Sequence, residues 1–150
     1  LPHSLVIAGC PGWGVKSIYR AHALCGLGGR VRFLGGVEQG ELPAVYRRAE
    51  AFAYLSHYEG FGLPPLEAMA CGTPVVASDT PALKETAGDA ALFVPVRDVK
   101  KIAAALTGVL TDSSLAAKLV QKGKIQAAGF SVEESARKTL DVYLEMEGRS

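Results

Sequence analysis

Short runs that are apolar from end to end, set between segments of helical period, constrain this chain more than any other feature. Leu5 to Ala8, Pro74 to Ala77 and Ala91 to Val94 are such runs. A strand with one wet face alternates polar and apolar residues, whereas a continuously apolar strand calls for cover on both faces. Val31 to Leu34 and Ala51 to Leu55 supply two further short strands, each again followed by a helical segment. Strands alternating with helices join by right-handed crossovers into a parallel sheet, so the expected class is α/β, doubly wound.

Turn and cap residues set the boundaries. Gly9 to Gly12 ends the first strand, and Ser17 to Leu27 carries Ile18, Ala21, Leu24 and Cys25 at helical spacing. Gly28 and Gly29 close that helix, Gly35 and Gly36 stop the second strand, and a helix from Glu41 to Ala49 turns Leu42, Val45 and Tyr46 inward. Pro64 to Ala70 follows as a helix, and Thr80 with Pro81 reads as a cap and first-turn proline for a short helix to Thr86. Three helices close the chain. Asp98 caps one with Ile102, Ala105, Leu106 and Val109 on one face, and a second runs from Ser114 to Ala127. Ser131 and Glu134 form a capping box for the last, which carries Ala136, Leu140, Tyr143 and Leu144 on one stripe. With no internal repeat, low-complexity segment or linker, residues 1–150 are expected to form a single domain.

Composition narrows the function classes. Sixteen Lys and Arg stand against fifteen Asp and Glu, a formal charge of +1 that gives no general attraction to nucleic acid or anionic lipid. The basic residues are spread among acids and helix faces, so no nucleic-acid partner is expected. Cys10, Cys25 and Cys71 are odd in number, far apart and without CxxC spacing, which points to buried free thiols rather than a disulfide framework or zinc site. No apolar run reaches the roughly 20 residues needed to span a bilayer, and no basic-then-apolar signal opens the chain, so the reading is cytoplasmic with no membrane span. The sequence enters a strand directly from Leu1, without a methionine, and reads as a piece of a longer protein.

The chemistry concentrates between Ser56 and Asp79, where Glu59 and Glu67 bracket the glycine-containing loop Gly60, Phe61, Gly62, Leu63 and the helix that starts at Pro64. This loop lies at the carboxyl edge of a parallel sheet and at a helix N-terminus, where free N–H groups and a dipole equivalent to roughly half a positive charge favour an anion such as phosphate. Gly60 and Gly62 allow unusual dihedrals and close approach of a ligand, and Pro64 and Pro65 preset the first turn. Glu67, about one turn into the helix, is held ionised by the dipole and can accept from paired ribose hydroxyls; Glu59 can accept from hydroxyls at the far end of the same ligand. The same pattern is compatible with two solvated glutamates around an ordinary turn, or with the acid and base of a glycosidase. An apolar helix face of Leu66, Ala70 and Cys71 suits a sheet-edge binding loop better than an open sugar groove.

Other candidates are weaker. The glycines of Gly9 to Gly14 fall as GxxGxG with no acidic residue at the end of the second strand, which is not the dinucleotide fingerprint. Lys16 reads as a solvated charge sooner than a phosphate contact, Trp13 as a partly exposed turn residue or a contact with an absent domain, and His57, with no Cys or Asp at metal-ligand spacing, as a loop side chain sooner than a ligand contact.

The segment from Glu59 to Ser78 resembles the E-x7-E segment of the family 4 retaining glycosyltransferases, whose members have the GT-B fold of two facing Rossmann-like domains. Leu5 to Gly9, Arg30 to Gly35, Glu41 to Ala49, Ala87 to Leu92 and Phe130-Ser131 fall in the family's order, so the likeness covers about Leu5 to Leu144. It is similar to the donor-binding, C-terminal half of bacterial mannosyltransferases. The resemblance implies that Glu59 contacts the donor sugar as the catalytic-site carboxylate. It further implies that Gly60, Phe61, Gly62 and Leu63 hold sugar and diphosphate, that Glu67 binds the ribose, and that Val37 packs on the nucleobase. It implies transfer of a hexose, mannose or glucose, from a UDP- or GDP-linked donor to a glycan or lipid acceptor, with no metal or other cofactor, and an N-terminal acceptor-binding domain in the same full-length protein as partner. Two departures stand out: nothing before Leu5 supplies the Arg and Lys pair with which the family clamps the diphosphate, and Leu55 stands where many members have proline. An isolated chain of this kind is expected to be inactive by itself, and the alternative is an autonomous interaction module of the same fold.

Overall fold

The computed structural model describes residues 1–12 and 14–147; Trp13 lies outside the described residues. The chain divides into two compact units, Leu1–Val45 and Tyr46–Ser150. Among the described residues all strand pairing is parallel, in one sheet of two strands and one of three.

In the first unit, strand β1 (Leu5–Ala8) pairs with β2 (Val31–Gly35), Leu5 opposite Val31, with an irregularity between Ile7 and Ala8. Helix α1 (Val15–Leu24) connects them and packs its Tyr19 and His22 rings on Phe33, at 4.9 and 5.6 Å between centroids. The Arg30 guanidinium donates to the Leu1 carbonyl at 2.6 Å and so ties the N-terminal segment down. Contrary to the expectation of cover on both faces, β1 is open: Leu5 is 54% and Val6 46% exposed, and α1 has no buried residue.

Helix α2 (Leu42–Arg48) leads into the second unit, where Tyr46 is buried. The strands β3 (Phe52–Tyr54), β4 (Val75–Ser78) and β5 (Ala91–Val94) lie in the order β3-β4-β5. Every residue of the central β4 is buried, as its apolar run requires. Helix α3 (Leu63–Ala70) precedes β4 and stops because Gly72, at φ 80°, takes the left-handed conformation. The Gly72 amide then donates to the Met69 carbonyl and the Thr73 amide to the Ala68 carbonyl, at 3.0 and 2.9 Å, which satisfies the last turn. Helix α4 (Pro81–Ala87) starts on its proline as expected, but the Thr80 hydroxyl makes no cap bond.

Helices α5 (Val99–Thr111), α6 (Ser113–Ala128) and α7 (Val132–Glu147) complete the unit. Asp98 caps α5 by accepting from the Lys101 amide at 3.0 Å. Asp112 ends α5 and caps α6 through the Leu115 amide, also at 3.0 Å. The core gathers Val76, Val94, Val109 and Leu119, with Leu55, Ile102 and Leu106 against them. Only half of the capping box of α7 forms: the Glu134 amide donates to Ser131 Oγ, while the Glu134 carboxylate turns to Arg137 at 2.7 Å, a charged partner that competes with the backbone N–H. The apolar stripe of α7 is exposed, Leu140 at 56% and Tyr143 at 64%. The three thiols are free, but Cys10 and Cys25 are exposed, on a turn and at the end of a helix with no buried residue, and Cys71, at the C-cap of α3, is half-buried. Among the described residues no single helix is long and apolar enough to cross a membrane.

Candidate functional site: a loop held between two tyrosine-bonded carboxylates

The connection from β3 to α3 is fixed by hydroxyls donated from elements behind it. Ser78, at the end of the apolar β4 run and fully buried, donates to the Ser56 carbonyl at 2.6 Å. Thr86 of α4, 2% exposed, donates to the Phe61 carbonyl at 2.6 Å, and Gln126 of α6 donates to the Thr86 carbonyl at 2.8 Å. Hydrogen bonds of buried hydroxyls are costly to lose, so both ends of the loop are held by the core. Phe61 is half exposed and meets Phe130 edge-on, 5.7 Å between ring centroids.

Gly62 is the N-cap of α3, at φ 102°. A Cβ there would stand 2.5 Å from Leu83 Cδ2, and Leu83 is fully buried, so both conformation and space require glycine. Gly60 differs: its φ is not positive and a Cβ would meet nothing within 4 Å. The expectation that both glycines serve unusual dihedrals is therefore corrected to Gly62 alone. Among the described residues no hydrogen-bond acceptor engages the amides of Gly60, Phe61, Gly62 or Leu63. Pro64 and Pro65 contribute no N–H, so Leu63 is the first helical donor.

The carboxylates flank this loop as the spacing suggested, each with a tyrosine partner that the spacing did not reveal. The Tyr54 hydroxyl, from β3, donates to Glu59 Oε1 at 2.8 Å. The Tyr46 hydroxyl, from α2, donates to Glu67 Oε2 at 2.9 Å. Thr73 Oγ1 donates to the Tyr46 carbonyl at 2.6 Å and anchors that tyrosine. Phe52 lies between the two phenols, edge-on to Tyr46 at 5.2 Å and stacked with Tyr54 at 5.9 Å. Burial, and then the bond to Glu59, pushes the Tyr54 phenol up from 10.0 to about 12. Burial and the Glu67 bond hold the Tyr46 phenol higher still. Both remain protonated donors near neutral pH.

Glu67 is the fifth residue of an eight-residue helix whose first turn has no acid. The dipole acts mainly within the first turn, so what orients this exposed carboxylate is Tyr46 rather than the helix end. The buried face of α3 is Pro65, Leu66, Ala68 and Met69, whereas Ala70 is exposed and Cys71 half-buried, which corrects the sequence-derived face. Each carboxylate keeps a second oxygen without a protein donor among the described residues, an acceptor for a ligand hydroxyl.

Val37 belongs to the first unit, half-buried and two residues beyond β2. The first unit also carries a cleft of about 160 Å³ between the turn after β1, α1 and Phe33. His57 is an exposed loop residue. Among the described residues no three His, Cys, Asp or Glu side chains are grouped at metal-ligand range.

Comparison with known proteins identifies the family and the fold. The family described as "Glycosyl transferases group 1" matches residues 2–126. O-antigen chain mannosyltransferase B of Escherichia coli is 38% identical over 141 residues, 94% of this chain and 37% of the mannosyltransferase. D-inositol 3-phosphate glycosyltransferase of Salinispora tropica is 38% identical over 123 residues, 81% of this chain and 26% of the relative. The chain thus spans well under half the length of these relatives. Among solved structures, sucrose-phosphate synthase from Thermosynechococcus elongatus superposes with TM-score 0.89 at 31% identity, over 98% of this chain and 39% of that one. Anabaena HepE in complex with UDP-glucose shares the fold, with TM-score 0.87 at 22% identity over 95% of this chain and 41% of that one. The α/β fold with parallel strands is that of a Rossmann-like half of the GT-B enzymes. By sequence and by fold, the chain belongs to the group 1 glycosyl transferases.

Proposed function

We propose that this chain is the donor half of a retaining glycosyltransferase and binds a nucleotide sugar, UDP- or GDP-linked, whose mannosyl or glucosyl group passes to a glycan or lipid acceptor. The observation that carries the reading is the loop of unengaged amides between two carboxylates, each with one oxygen held by a tyrosine and one open. Similarity to a mannosyltransferase and shared fold with a protein solved with UDP-glucose support it.

In this reading Glu67 accepts from the ribose hydroxyls, the amides of Phe61, Gly62 and Leu63 take the diphosphate and sugar, and Glu59 accepts from sugar hydroxyls. Preorganised N–H donors at a helix end stabilise the negative charge that grows on the departing diphosphate, which is the electrostatic part of catalysis and requires neither a protein nucleophile nor a metal. In this reading the acceptor side comes from an N-terminal domain of the full-length protein, and the rest of the diphosphate clamp from the strand and helix with which the donor domain of the family opens. Titration calorimetry of the chain with UDP-glucose and with GDP-mannose tests this: a saturable heat with one donor is expected, and no heat with either at millimolar concentration overturns it.

The exposed apolar positions of α7 favour a second reading, an interaction module that pairs through this helix. Elution as a dimer with no nucleotide response would select it.

A further inference from the structure

Tyr46 and Tyr54 come from two different elements, yet each ends on a carboxylate at one border of the same loop. Each is tied in from behind. Tyr46 is 8% exposed, its carbonyl is bonded by Thr73, and both rings pack on Phe52. Neither tyrosine is needed to satisfy its carboxylate for folding, since both glutamates reach solvent and water could serve. What water cannot do is fix which oxygen of the carboxylate is taken and which is left. A phenol on a packed ring selects one oxygen and sets the plane of the group, so the other oxygen stands at a defined place for a ligand hydroxyl.

We propose that Tyr54 and Tyr46 are positioning residues of the donor site: Tyr54 aligns Glu59 for the sugar hydroxyls and Tyr46 aligns Glu67 for the ribose, with Phe52 as the shared brace between them. This rests on the donor-site reading above. It divides specificity between the two pairs. The Tyr54 and Glu59 pair governs how much better a nucleotide sugar binds than the bare nucleotide, and the Tyr46 and Glu67 pair governs nucleotide affinity with or without the sugar.

The test is calorimetry of the full chain with UDP, UDP-glucose, GDP and GDP-mannose, for wild type and for Tyr54→Phe, Tyr46→Phe, Glu59→Gln, Glu67→Gln and the two paired double variants. Phenylalanine keeps the packed ring and removes only the donor. Tyr54→Phe is expected to reduce nucleotide-sugar affinity by about 3- to 10-fold while nucleoside diphosphate affinity stays as in wild type. Tyr46→Phe is expected to weaken both ligands by the same factor. Each double variant should bind no more weakly than the corresponding glutamine variant, because the tyrosine acts only through its carboxylate. A purely structural role predicts instead an equal loss for all ligands from Tyr54→Phe and additive losses in the double variants, either of which overturns the proposal. Full wild-type binding by both Phe variants, with weakened Glu59→Gln and Glu67→Gln, overturns the proposal and leaves the donor site standing. Wild-type binding by both Gln variants, or no binding by wild type, removes the donor site and the proposal with it. If Tyr46→Phe fails to fold, Tyr54→Phe, on a half-buried ring, carries the test alone.

Discussion

The first and second units obey the same strand and helix grammar, but the second alone encloses a core. Every buried hydrophobic residue among those described lies at Tyr46 or beyond, and β4 is covered on both faces. In the first unit the equivalent apolar run, Leu5 to Ala8, stays largely open, and α1 rests on Phe33 through two rings without burying any residue. Apolar runs thus announce a demand for cover without saying where the cover comes from. The loop between Glu59 and Glu67 belongs to the unit that meets that demand internally, and its ends are bonded to Ser78 and Thr86 from that core. Precision at a ligand site depends on such backing.

The largest expected effect lies in the core behind the loop. Leu83→Ala removes a fully buried side chain and should cost about 2–5 kcal/mol in urea unfolding, whereas Leu5→Ala, at 54% exposure, should cost less than about 1. Similar costs at the two positions would erase the distinction between the units. Next, Gly62→Ala should destabilise by about 1–3 kcal/mol through backbone strain and contact with Leu83, and should weaken donor binding beyond what the loss of stability explains. Gly60→Ala, where a Cβ has room, is the control and should change little.

Smaller effects separate the two glutamates. Glu67→Ala should weaken nucleotide binding, and Glu59→Ala the preference for sugar-bearing nucleotide, each by about 1–3 kcal/mol in calorimetry. Equal nucleotide affinity for wild type and Glu67→Ala contradicts the ribose assignment. The smallest effect is one of pH. A phenol whose folded value is raised from 10.0 to about 12 keeps its proton longer in the folded chain, so its contribution to stability is complete below pH 10 and is lost as pH rises towards about 12. The stability difference between wild type and Tyr54→Phe should therefore be constant below pH 10 and shrink above it, as read from unfolding midpoints at successive pH values. A difference that grows with pH would contradict the Tyr54 and Glu59 bond.

Much of this arrangement is legible in the residues themselves. The run Val75 to Ala77 marks a buried strand, Pro64 and Pro65 mark the start of α3, and two glutamates around a glycine loop mark the candidate site, because strand cover, helix starts and turns are local properties. The carboxylates' partners are not local. Tyr46 lies 21 positions from Glu67, and at helical spacing it reads simply as an inward aromatic. Tyr54 reads as one more apolar strand residue until its hydroxyl is placed. The differing roles of Gly60 and Gly62 depend on Leu83, which arrives from α4, and no spacing within the loop encodes that. The division into a two-stranded and a three-stranded sheet likewise follows from long-range pairing rather than from any single strand. For Thr80, helix propensity names a cap but tertiary geometry leaves its hydroxyl unused.

In the proposed function, the amides at the start of α3 hold the diphosphate of a nucleotide sugar. Amide chemical shifts of the isotope-labelled chain, followed as UDP-glucose or GDP-mannose is added, test it most directly. Saturable shifts at Phe61, Gly62 and Leu63 are expected with at least one donor, diminished in Glu67→Ala. Saturable shifts that leave these three amides unmoved, or none at all with either donor, would contradict it.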